Sequence, residues 1–201
     1  MSWGKQLGFL CFLLHGQEGF IMDSIFLHQK ANELVQSAGS RDLRTIAKAV
    51  GMNITEMPFD AISGFFTFKW DIHHVFINTA LDKQTKQMVC GYALSLYAES
   101  YLFPDKVSHS MNFISPAHLV EYEANAFSSH LMLDSEEIYR LTKLGYDVQQ
   151  IAAMAKRHLH TVLVKLLALY HMGYDMTHYY GLHSRFLKKY PNLSHFAFCV
   201  E

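Results

Sequence analysis

Cysteine is scarce in this chain: Cys11, Cys90 and Cys199 are the only three in 201 residues. An odd number without C-x-x-C spacing supplies neither a disulfide framework nor a thiolate zinc site, and it fits a reducing, cytoplasmic setting. Charge is thin as well. Only 17% of residues are charged and the net charge is -1 with the 13 histidines neutral, which leaves no broad electrostatic case for nucleic acid. Long apolar runs are missing too. Residues 7–14 (LGFLCFLL) are far short of the roughly 20 that a spanning helix needs. No Gly-x-Ser-x-Gly occurs, and no cysteine has an acidic or basic neighbourhood, so a serine or cysteine triad has no support. Repeats and low-complexity segments are also absent.

Half of the residues are hydrophobic, enough for one domain with a sizeable core. Residues 1–21 form an apolar extension, read first as an appendage or misassigned start, then as a docking arm, and last as a signal peptide. The main domain is expected over residues 22–172, with a tail over 173–201. Helices are expected over 23–37, with Ile25, Leu27, Leu34 and Val35 on its stripe, and over 41–50. Gly39 and Gly51 close them. Residues 52–57 are expected to be extended. Residues 61–69 and 74–78 are aromatic and β-branched, which predicts a hairpin with 70–73 as its loop and His73 and His74 exposed at or beside its tip. Asn78 and Thr79 form the exit turn, and Asp82 caps a helix over 83–101. Cys90 lies inside that helix as a small core residue.

A polar loop and Pro116 lead to an acidic helix over 117–133, followed by a helix that Asp134 to Glu137 cap and charge. Residues 147–170 carry an apolar stripe through Ile151, Met154, Ala155, Leu159, Val162 and Leu166. They form either one long helix or two broken near His158-Leu159-His160 in the manner of a helix-turn-helix. His158 and His160 are expected to be turn or surface residues, and His130 a packed or solvated side chain. The fold class is therefore α+β, mostly helical, with a small sheet.

A helical zinc peptidase site needs histidines at i and i+4, a glutamate after the first, and a third ligand from another helix. The layout suits this: an apolar helix follows a hairpin, and a second helix carries Glu121-Tyr122-Glu123-Ala124-Asn125-Ala126-Phe127 with Leu131-Met132-Leu133. That motif, Ile77-Asn78 followed by Leu81, and Ile46-Ala47 with Val50-Gly51 together resemble the ImmA/IrrE family of metallo-endopeptidase-like proteins, over about three quarters of the chain. The resemblance implies a zincin-like fold and a partner that is a DNA-binding repressor or another phage or mobile-element regulator.

The departure lies at the centre. Where the family has His-Glu-x-x-His, this chain has Tyr92-Ala93-Leu94-Ser95-Leu96. Leu96 cannot ligate zinc, the Tyr92 oxygen is a poor substitute for imidazole, and Ala93 cannot shuttle a proton. Only the family's third metal position, placed at Glu121, is retained. The leading expectation is thus an inactive homologue that binds a protein and holds no metal. A buried Glu121 would take a hydrogen bond from Tyr92. Two alternatives remain. One is an active zinc peptidase with a rearranged site built from His109, His118 and Glu121, although these suit a solvated helix face and loop equally well. The other is a DNA-binding regulator acting through residues 147–170, where Lys156, Arg157, His158, His160 and Lys165 supply positive charge.

Overall fold

A computed structural model describes residues 24–102, 112–114 and 122–176. Seven helices and a four-stranded sheet follow one another in it. In chain order they are α1 (Ser24–Ala38), α2 (Leu43–Ala49), β1 (Asn53–Met57), β2 (Gly64–Lys69), β3 (Ile72–Asn78) and α3 (Lys83–Leu102). Then come β4 (Asn112–Ile114), α4 (Tyr122–Met132), α5 (Ser135–Lys143), α6 (Val148–Ala155) and α7 (Leu159–His171). The class is α+β and mostly helical, as expected. Among the described residues no helix is long and apolar enough to cross a membrane.

Capping chemistry sets the helix starts. Asp42, Asp134 and Asp147 each accept the backbone N–H three residues on, and Gln150 completes a capping box with Asp147. Asp82 does the same for α3 through the N–H groups of Gln84 and Thr85. Gly51 ends α2 with φ +73°, a left-handed conformation in which a side chain would be strained, and turns the chain directly into β1. Of the first helix's expected stripe, Leu27 is buried and Leu34 and Val35 pack on the core. Ile25 faces outward instead, and Ala31 takes the inner position.

The sheet order is β1-β3-β2-β4, with β1 parallel to β3 and the other pairs antiparallel. The β2–β3 turn is tighter than its sequence suggests. Lys69 pairs with Ile72, so only Trp70 and Asp71 form the loop, both at positive φ (51° and 59°). That backbone matches the two-residue turn whose twist suits a hairpin. His73 and His74 consequently sit in β3 rather than at an exposed tip. His73 is half-buried against Phe66, Phe68 and Tyr97, with its Nε2 3.2 Å from Ser100 Oγ.

Phe66, Val75 and Ile77 turn one sheet face into the core, where α3 covers it. Buried Asn78 ties down the preceding loop: its amide donates to the carbonyls of Phe59 and Ile62, and its Oδ1 accepts from Ala80 N–H. The stretch 147–170 breaks into α6 and α7 at Lys156, which is left-handed at φ 52°. Within α6 the buried positions are Val148, Ile151 and Ala152, so Met154 is exposed instead of lying on the apolar stripe.

Candidate functional site

The helix pair α3 and α4 is where the resemblance in sequence would put zinc chemistry. These two helices meet so closely that a Cβ built on Gly91 would lie 1.9 Å from Ser128 Oγ and 2.9 Å from Ser128 Cβ. Beside this contact Tyr92 is 4% exposed and Ala93 is fully enclosed, while Leu96, on the same face as Tyr92, packs against the core. Ser95 turns its hydroxyl back to the Tyr92 carbonyl at 2.7 Å.

These side chains do not fit a zinc ion. At the positions that the resemblance aligns with the base and a ligand stand an enclosed methyl, Ala93, and Leu96. Among the described residues, no three His, Cys, Asp or Glu side chains are grouped to hold a metal ion. His109, His118 and Glu121 lie outside the described residues, as does any pairing of Glu121 with Tyr92.

Among the described residues the strongest concentration of buried polar chemistry lies elsewhere, where α1, α4, α5 and α7 converge. Lys165 on α7 is 0% exposed, and so is His130 on α4. Lys165 Nζ is 2.7 Å from His130 Nδ1 and donates to Ser135 Oγ at 2.8 Å. Ser135 Oγ lies 3.0 Å from His28 Nε2, and Asn32 Nδ2 is 2.8 Å from the same nitrogen.

Arg41 closes the cluster. It donates to the His130 carbonyl at 2.7 Å, to Asn32 Oδ1 at 3.2 Å and to Asp134 Oδ2 at 2.9 Å. One guanidinium thus satisfies a terminal carbonyl of α4 and pairs with the residue that caps α5.

The donors fix the protonation pattern. A guanidinium can only donate, so the Asn32 oxygen faces Arg41 and its NH₂ faces His28. His28 Nε2 is therefore an acceptor, the ring is neutral with its proton on Nδ1, and the Ser135 hydroxyl donates to it. Burial, followed by the nearby Lys165 charge, holds the His28 and His130 rings below their ordinary range. Burial also pushes the Lys165 amine down to about 7, with Arg41 adding to the effect and Asp134 opposing it.

Other sequence-derived candidates are redistributed. Lys165 is inside, and Arg157 and His160 are half-buried, so of the five cationic residues over 156–165 only Lys156 and His158 are exposed. That leaves α6 and α7 without a basic face for phosphates. His158 caps α7 by accepting from His160 N–H, whereas both ring nitrogens of His160 are buried without a partner and burial lowers it to about 4. His160 is thus not the surface residue expected. No family model matches the chain, and no curated protein matches it.

Proposed function

We propose that this protein is a non-catalytic relative of the ImmA/IrrE metallopeptidases that works by binding another protein, a DNA-binding repressor or similar regulator. The observation carrying this reading is the filled centre. Tyr92 and Ala93, aligned by the resemblance with a ligand and the base, are core residues beside the Gly91–Ser128 crossing, which supports a centre packed with side chains in place of a metal-bound water. The choice of partner rests on the resemblance in sequence. The hairpin end carries Phe68, Trp70 and Ile72 as exposed apolar side chains, with Trp70 80% exposed. Tyrosine, tryptophan and phenylalanine are the residue types enriched where proteins meet.

Two measurements test this reading together. Elemental analysis of purified protein, after dialysis against a weak chelator, should find no zinc; about one zinc per chain would overturn it. Cross-linking in the native host should then recover an intact DNA-binding regulator. Recovery of a cleaved regulator, or of no regulator at all, would count against it.

A further inference from the structure

We infer that the Lys165 amine, seated between His130 and Ser135, is a proton-operated joint: neutral, it docks α7 onto α4 and α5, and protonated, it loosens that docking. The inference is independent of the partner-binding reading.

Stereochemistry carries the argument. An ammonium has three N–H donors, but the described residues supply two partners, His130 Nδ1 and Ser135 Oγ, within a fully enclosed site. A neutral amine has two N–H groups and leaves none unpaired. Both partners are themselves neutral: burial holds the His130 ring well below its ordinary range, and Ser135 passes its own proton toward a His28 that can only accept.

Each element around the amine contributes to the balance of charge. From α1 comes neutral His28, and from α4 neutral His130. Arg41 brings a cation that opposes a second one. Asp134 and Glu136, at the start of α5, bring anions, but Asp134 is already paired with Arg41 and Glu136 accepts from Tyr174. Protonation would thus add a charge and an unsatisfied donor where, among the described residues, no carboxylate hydrogen-bonds the amine. Separating α7 from α4 and α5 admits water and relieves both.

The experiment uses the full chain. Lysine Cε–Hε correlations are followed by NMR from pH 6 to 11. One lysine should titrate far below the ordinary value of 10.5, and all lysines titrating together near that value would overturn the inference. Amide exchange in α7, corrected for intrinsic rates, is measured at pH 8.5 and 7.5. The open population should rise about eightfold on lowering the pH, then level off below neutrality. In Lys165→Met that rise should vanish. An equal rise in Lys165→Met, or no rise in the unaltered protein, would refute the joint. If Lys165→Met does not fold, the titration and exchange of the unaltered protein still decide the matter.

Discussion

Replacing Gly91 with alanine tests the close helix crossing on which the filled centre depends. On an exposed helix this change stabilises by about 1 kcal/mol, because alanine loses less backbone entropy than glycine. Here the new methyl would sit 1.9 Å from Ser128 Oγ and 2.9 Å from Ser128 Cβ, with Leu43 Cδ1 at 3.6 Å. The hydroxyl can rotate away, but the Ser128 Cβ is fixed to the backbone of α4. The two helices must therefore separate, and overpacking of this kind costs about 1–3 kcal/mol. The clash outweighs the propensity gain, so Gly91→Ala should destabilise the protein by about 1–2 kcal/mol.

Ser128→Gly removes both clashing atoms. In that background Gly91→Ala should become neutral or stabilising, giving a coupling between the two sites of about 2 kcal/mol. Urea unfolding followed by circular dichroism measures all four proteins. If Gly91→Ala stabilises the otherwise unaltered chain, or if the coupling is absent, the helices are further apart than described and the filled-centre argument fails with them.

The buried amine has a pH signature in global stability. The unfolded lysine keeps its proton up to about 10.5 while the folded one releases it near 7. Between those values the unfolded state binds more protons, so stability rises with pH and falls as the pH drops toward 7. From pH 7.5 to 8.5 the gain attributable to Lys165 should be about 1.2 kcal/mol, absent in Lys165→Met. Parallel pH profiles for the two proteins would contradict it. The window stops at 8.5 because burial pushes the Cys90 thiol up to about 12, which lowers stability as the pH rises past the ordinary thiol range. The same thiol should resist iodoacetamide at pH 8 in the folded protein and react in urea, with peptide mapping reporting Cys90 itself. Rapid labelling of Cys90 in the native state would place it outside the core.

Where elements begin and end was legible in the sequence, because the signals act on their own backbone. Asp82 and Asp134 cap the helices that follow them, and Gly39 and Gly51 adopt positive φ where helices end. The hairpin was legible from its aromatic and β-branched strands. Its turn was not, since Trp70-Asp71 lacks the Asn-Gly or Asp-Gly that usually marks positive φ at both positions. His73 and His74 were therefore expected two residues too close to the tip.

Which polar residues went inside was decided only by the tertiary structure. Lys165 appears in sequence as one more cation beside Lys156 and Arg157, on a helix that proves to be buried nearly all round. Periodicity cannot single out a residue on such a helix, because there is no solvent face to contrast with. His28, His130, Ser135 and Lys165 come from four helices and share no spacing; only packing brings them within hydrogen-bonding reach. The sequence by itself determined the class and the helix caps at Asp82 and Asp134, since each is a property of neighbouring residues. The enclosure of Ala93 and the neutral seat of Lys165 depend on helices distant in the chain, because burial and donor–acceptor matching exist only once those helices have met.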